Sequence, residues 1–429
     1  MHPQILSPYV VGFRSSCCEQ VFPVEESKYL CPIHGANGTL DVVYDYDRLQ
    51  KVVSRSTLVA SAASGQAGMW RYLPLLPINP NAQLPLLHVG DTPLYAAKKL
   101  ADHLGLAELW VKDEGRQPTG SLKDRASALA VALALAEGTN IITTASTGNA
   151  AAALAGFCAG TELSAVIFVP AAVPSAKLAQ ILVYGARVVL VEGSYDDAFE
   201  LCLAAAERFG WYIRSTGFNP FMTEGKKTVA YEIAASLNWS VPDVMLVGVG
   251  DGCIIGAIHK GFRDLFALGW INRMPRLIGV QAVGSDYLYQ AWKRSDTVMQ
   301  SPGITAITAA DSLAAGLPRD RFKAMDAVRS TGGAFIRVTD DEILAAIPKL
   351  ARACGVFCEP AGAAALAGLF SGMEQGLIKR GEHVVLIATG NGLKDIQNAS
   401  KAINDSQQLM VRCPSNIEQF AKNFFADAA

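Results

Sequence analysis

From about residue 88 onward, short apolar runs rich in β-branched residues alternate with alanine-rich stretches. The runs are ELWVKD (108–113), NIITTAS (140–146), SAVIFVP (164–170), RVVLVEG (187–193), VMLVGVG (244–250), RLIGVQA (276–282) and HVVLIATG (383–390). Helical texture separates them at 122–137, 148–159, 175–184, 195–209, 224–238, 253–268, 340–354 and 361–371. Continuously apolar strands separated by helices predict parallel sheets covered on both faces. Such α/β folds bind ligands at the carboxyl ends of their strands, often in a cleft between domains. The apolar stretch at 126–136 is too short to span a bilayer and reads as a buried helix. Ahead of this core (88–429) the pattern changes. Residues 1–50 hold three of the nine cysteines and a strand candidate at 40–47, and read as a small knuckle-like unit. Residues 51–87 show no period, carry Pro74, Pro77, Pro80 and Pro85, and read as an extended arm.

Composition narrows the class. Of 429 residues, 51% are apolar and 18% charged, enough for a large core and against disorder. The net charge of −2 and scattered basic residues argue against nucleic acid or an anionic membrane as partner. The cysteine count is odd and the first 15 residues lack a basic region followed by an apolar run. A reducing cytoplasm is the expected setting, with most thiols acting as small buried hydrophobes.

Four motifs fall at predicted strand ends. KDEGRQPTGSLKDR (112–125) turns through Pro118-Thr119-Gly120 and places Lys123 at a helix start. The positive end of the macrodipole favours the neutral amine that a Schiff base needs. A solvated lysine is the plainer reading of that residue alone. In ASTGNAAAA (145–153), Ser146, Thr147 and the backbone N–H groups opening the next helix can clasp a carboxylate, with Asn149 adding an amide donor. The alternative is ordinary helix capping. GVGDGC (248–253) is a glycine turn before a helix, suited to phosphate but off the dinucleotide spacing. In ATGNGLKD (388–395), Thr389 ends the last strand with a hydroxyl for a pyridine nitrogen. Together the four supply an amine, a carboxylate cradle, a phosphate cup and a ring-nitrogen partner, the groups needed to hold pyridoxal 5'-phosphate (PLP) and an amino acid.

These residues resemble the threonine synthase family among fold-type II, tryptophan synthase beta-like PLP enzymes. PTGSLKDR (118–125) is similar to the family's PTGSFKDR, STGNAAA (146–152) to its SSGNxxA loop, TGNGLKD (389–395) to its TGxGLKD, and CEPAGAAALAGL (358–369) to its EPAxAAxxAGL helix start. Trp70-Arg71-Tyr72, GDTPL (90–94) and LWVKDEG (109–115) fit as well. The resemblance implies two parallel-sheet α/β domains with the cofactor in the cleft between them, the smaller subdomain lying at about 127–215. It implies that Lys123 carries the cofactor and shuttles protons. It implies that Asn149 bonds the cofactor's phenolic oxygen, and that Gly250, Asp251, Gly252, Cys253 and Ile254 hold its phosphate. Thr389 would face the pyridine nitrogen, with Glu359-Pro360 packed beside the ring. Ser146 and Thr147 would take the substrate carboxylate, and Asn219 and Lys226, within GFNPFMTEGKKTVAYE (217–232), would bind substrate. A homodimer acting on a small amino acid is implied, as a lyase that converts O-phosphohomoserine and water to threonine and phosphate.

Three departures bear on the substrate. The family's arginine near AxRIGxP is absent from AADSLAAGLPRDR (309–321), where Arg319 or Arg321 are the possible substitutes. Arginine forks suit phosphate. A sibling doing β-elimination, β-replacement or another γ-substitution, dehydratase-like or cysteate synthase-like, therefore stays open. Lys226 stands where glutamine is usual, either adding a charge that restores phosphate or other anion binding or standing as a surface lysine. The family's CxxCG…CPxCG knuckle has become Ser15-x-x-Cys18-Glu19…Cys31-Pro32-Ile33-His34-Gly35. A metal-free knuckle held by packing is expected. Cys18, Cys31 and His34 are the candidate ligands were a metal to bind, and Cys17 fits badly as a fourth because it adjoins Cys18.

Overall fold

The computed structural model describes residues 3–26, 29–58, 67–173, 175–296, 301–403, 413 and 415–424. Three sheets organise them. The first is antiparallel, with β1 (Val10–Ser15), β2 (Val21–Phe22), β3 (Leu30–Cys31) and β4 (Gly35–Tyr44) in the order β2-β1-β4-β3. The second is parallel, with β7 (Ile141–Ala145), β8 (Ser164–Pro170), β9 (Arg187–Val191) and β10 (Tyr212–Ile213) in the order β10-β7-β8-β9.

The third joins β5 (Leu94–Ala96), β6 (Glu108–Asp113), β11 (Val244–Gly248), β12 (Arg276–Ala282), β13 (Ala334–Val338) and β14 (His383–Ala388) in the order β13-β12-β11-β14-β6-β5. It is parallel except at its edge, where β5 runs antiparallel to β6. Every residue of β11 is buried, as is all of β14 beyond His383. Covered on both faces, such strands must be apolar without alternation, which is the texture the sequence carries.

The segment at 224–238, one helix by its pattern, is two: Phe221–Lys226 and Thr228–Ser236. The strand at 40–47 begins earlier, at Gly35, and ends at Tyr44. Within 51–87 a 3-10 helix, Gly68–Leu75, buries Met69, Trp70, Tyr72, Leu73 and Leu75, so this part of the arm belongs to the core. Residues 59–66 lie outside the described residues.

A buried charge cluster sets the start of the helix Lys123–Ala136. Arg125 is fully buried between Glu114, in the turn after β6, and Glu232, on the helix Thr228–Ser236. Lys112, on β6, pairs with Glu232 at 2.7 Å. Next to Arg125, Asp124 accepts the Thr119 backbone N–H at 2.7 Å and the Thr119 hydroxyl. The loop carrying Lys123 is thus clamped from both sides by groups that cannot leave without stranding a buried charge.

Candidate active site

Four strand ends converge. Lys123 begins its helix shortly after β6. Ser146, Thr147 and Asn149 follow β7 in the second sheet. The loop 250–254 follows β11, and Thr389 follows β14. Two backbone links join the first and last of these: the Leu122 N–H donates to the Thr389 carbonyl, and the Asn391 N–H to the Gly120 carbonyl, each at 2.9 Å. Lys123 is therefore held beside the end of β14, although 266 positions separate it from Thr389 in the chain (389 − 123).

Burial depresses the Lys123 amine, with partial relief from Cys253, Glu359 and Asp251 and a further push down from Arg214. Among the described residues it forms no ion pair. Neutral amine is the form that attacks an aldehyde.

The loop 145–149 does not cap its helix with a side chain. The N-cap is Gly148, with no side-chain cap bond. The Ser146 hydroxyl instead accepts the Gly148 N–H at 3.3 Å. A Cβ on Gly148 would meet nothing within 4 Å, so the loop faces open space. Asn149 is buried and donates to both oxygens of Glu359, at 2.8 and 3.1 Å. Burial raises the Glu359 carboxyl, against the pull of that amide and of Lys123.

The glycine turn is steric in origin. Gly252 sits at φ +90°, and a Cβ there would lie 2.7 Å from Ala324 Cβ and 2.9 Å from the Asp320 carbonyl oxygen. A Cβ on Gly250 would come 3.0 Å from the Ser312 carbonyl. The turn opens the helix Cys253–Ala267, whose first N–H groups form an anion site.

Two cations close the site. Lys226 is fully buried, and burial takes its amine down to about 7, helped by Lys123 and Arg214 and opposed by Cys253. Its Nζ donates to the Thr216 hydroxyl at 3.4 Å. Arg214, equally buried, donates to the Ser127 and Thr216 hydroxyls at 3.0 Å each, and burial lowers it to about 10. Among the described residues neither forms an ion pair with a carboxylate. Two buried cations sharing one hydroxyl, beside a low-pKa amine and a glycine turn, are costly without an anionic ligand.

The sequence motifs did not point to Arg214. It sits in β10's outgoing loop, between motifs, and only the fold brings it to Ser127. Arg319 and Arg321 are elsewhere. Arg319 lies over the Phe199 ring, 3.7 Å from its centroid, and Arg321 donates to Asn37 in the knuckle at 3.2 Å. Asn219 spends its amide on the backbone, donating to the Ile213 carbonyl at 2.7 Å and accepting from the Phe221 N–H at 2.9 Å. It shapes the loop that leads to Lys226.

These groups fit PLP. There is an amine of lowered pKa, a glycine cradle at a helix start, buried cations short of anions, and the Thr389 hydroxyl at a strand end. Ser121, two residues before Lys123, has a buried hydroxyl with no partner among the described residues, another polar group placed to meet a ligand.

Comparison with known proteins agrees. Residues 85–390 match the family described as pyridoxal-phosphate dependent enzyme. The chain is 38% identical to threonine synthase of Methanocaldococcus jannaschii over 402 residues, covering 93% of this chain and 96% of that one. It is 38% identical to threonine synthase of Methanosarcina acetivorans over 381 residues, 89% and 91% of the two chains. Its fold is similar to the processed form of threonine deaminase isoform 2 from Solanum lycopersicum, with a TM-score of 0.62 at 25% identity, over 72% of this chain and 86% of that one.

Proposed function

The chain belongs to the pyridoxal-phosphate-dependent enzyme family, and from that premise we propose that it is a threonine synthase converting O-phosphohomoserine and water to threonine and phosphate. The observation that carries the phosphorylated substrate is the buried pair Arg214 and Lys226 beside Lys123, neither of which forms an ion pair among the described residues. An uncharged amino-acid side chain would leave both uncompensated.

Bound PLP supplies an electron sink for charge that develops next to the amino group of the substrate. The chain's residues do the rest. The loop 250–254 and the start of the helix Cys253–Ala267 would hold the cofactor's phosphate, and Thr389 would offer its hydroxyl to the ring nitrogen. Ser146, Thr147 and the N–H groups after them take the substrate carboxylate, which fixes the α-carbon over Lys123. Asn149, whose amide is held by Glu359, would donate to the ring oxygen of the bound cofactor. Lys123 Nζ, whose buried position disfavours the charged form, takes the α-proton and returns protons to the carbon skeleton. Arg214 and Lys226 hold the substrate phosphate and stabilise it as it departs. The net reaction breaks the Cγ–O bond to phosphate and forms a Cβ–O bond from water.

The experiment is direct. Purified protein with PLP is incubated with O-phosphohomoserine, and phosphate and threonine are measured together. Equal amounts of both are expected. Phosphate without threonine, or a keto acid formed from threonine or serine with no phosphate released from O-phosphohomoserine, overturns the assignment.

A further inference from the structure

The antiparallel sheet at the N-terminus brings four metal-binding side chains to one point. Cys17 and Cys18 lie in the turn between β1 and β2. Cys31 ends β3, and His34 lies in the turn before β4. Their three sulfurs and one ring nitrogen all lie within 4.8 Å of one another. Cys31 Sγ and His34 Nδ1 are 3.5 Å apart. Zinc–sulfur bonds of about 2.3 Å and zinc–nitrogen bonds of about 2.0–2.1 Å at the tetrahedral angle give a sulfur–nitrogen edge of about 3.5 Å and a sulfur–sulfur edge of about 3.8 Å. Three thiols and an imidazole, one pair already at the tetrahedral edge length and all within 4.8 Å, make a complete ligand set.

The surrounding backbone is shaped for the cluster. Gly38, on β4, faces it: a Cβ there would lie 2.5 Å from Cys31 Cβ and 2.8 Å from Cys17 Sγ. Cys17 and Cys18, though adjacent, both belong to the group, because in the tight turn after β1 both sulfurs come within 4.8 Å of Cys31 Sγ and the His34 ring nitrogen. A disulfide would use two of the three sulfurs and leave the third, and the imidazole, without a purpose.

We propose that Cys17, Cys18, Cys31 and His34 form a closed, tetrahedral Zn²⁺ site of structural type. It replaces the metal-free knuckle that the sequence alone suggests. Three thiols give up their protons on binding, and no redox step is involved. The site takes no part in the reaction proposed above and does not depend on it. Its role is to fix the sheet that backs the catalytic body. Arg321 donates to Asn37 at 3.2 Å, and Lys323 donates to the Leu40 carbonyl at 2.7 Å and pairs with Asp41 at 2.9 Å. Both belong to the helix Arg321–Ser330, whose Ala324 packs against Gly252 in the glycine turn. The metal therefore supports, through one helix, the turn assigned to the cofactor phosphate.

The test is metal analysis of the full-length protein purified without chelator, followed by replacement with Co²⁺. About one zinc per chain is expected, and the cobalt form should show the strong thiolate-to-metal absorption of a tetrahedral sulfur-rich site. Cys17→Ser, Cys18→Ser, Cys31→Ser and His34→Ala each lower the zinc content at least several-fold, whereas Cys413→Ser keeps it. Stripping zinc from the wild-type chain lowers its melting midpoint by several degrees, and adding zinc back restores it. This readout does not depend on a variant folding. Zinc below one-tenth per chain in the wild type, full retention by any of the four variants, or a Cys17–Cys31 disulfide in freshly purified protein each overturns the site.

Discussion

Arg125 donates to both carboxylate oxygens of Glu232, Nη1 to Oε1 and Nη2 to Oε2, each at 2.7 Å. The same guanidinium meets Glu114 through Nε at 2.7 Å and Nη2 at 2.8 Å. All three side chains are buried. Arg125→Met leaves two carboxylates without their shared cation and costs about 3–5 kcal/mol. Arg125→Lys recovers only part of this, because an ammonium cannot present the planar fork. Urea denaturation checks both, and an unchanged midpoint in Arg125→Met contradicts the account.

The same pair sets a response to acid. Burial alone would raise the Glu232 carboxyl, but Arg125 and Lys112 outweigh it and hold it well below the ordinary range. A carboxyl depressed by folding stabilises the protein above its unfolded pKa of about 4.3, and that contribution is lost as the pH falls toward the folded value. The denaturation midpoint should drop steeply below about pH 4. Glu232→Gln should be less stable at pH 7 and show a shallower slope over the acid range. Equal slopes in the two proteins exclude Glu232 as the source.

Lys226 offers a test of the phosphate pocket. With its amine near 7, it carries its charge below neutrality and loses it above. In the free enzyme, kcat/KM for O-phosphohomoserine should fall as the pH rises through about 7, and Lys226→Gln should remove that limb. The variant should raise KM about 10–100-fold, the worth of one hydrogen bond to a charged group. Stability moves the other way. Between about 7 and 10.5 the unfolded chain binds a proton that the folded chain does not, so wild-type stability rises with pH there. Lys226→Met should therefore raise the denaturation midpoint at pH 7. Weakened PLP binding with an unchanged KM would instead assign Lys226 to the cofactor's phosphate.

Sequence pattern pointed to candidate site residues where one strand end supplies a complete motif. Lys123, the loop 146–149, the turn 250–254 and Thr389 each lie within such a run, because short strands and the loops after them are local objects. Arg214 had no such signal, since its meaning comes from Ser127 and Thr216 around it and from the carboxylate it lacks. The Asn149–Glu359 pair spans 210 positions and joins two motifs that read separately. Strands β5 and β10, three and two residues long, are too short to show a period. The fourth member of the cysteine cluster was hidden for a related reason. Neighbouring residues in an extended chain point apart, and only the turn after β1 brings Cys17 and Cys18 to the same side.

Two buried lysines of lowered pKa, Lys123 and Lys226, stand close enough to act on each other, so the covalent attachment of PLP must choose between them. Position decides it. Lys123 opens a helix, its chain is pinned to the end of β14 through Leu122 and Thr389, and the unpartnered Ser121 hydroxyl lies two residues away. Lys226 ends a helix, where the dipole favours the charged form, and its amine already reaches Thr216. Borohydride reduction of the PLP-bound protein followed by peptide mapping should place the pyridoxyl group on Lys123 alone. Lys226→Gln should keep that label. Lys123→Ala should lose it together with at least about 1,000-fold of the turnover, since proton transfer and covalent attachment vanish with one amine. Its melting midpoint without PLP should not fall far below that of the wild-type apoprotein, because among the described residues the Lys123 amine anchors no ion pair and its lowered pKa marks a buried charge that costs stability. A pyridoxyl group on Lys226 in the wild-type chain would reverse the two roles, leaving Lys123 to hold an anion.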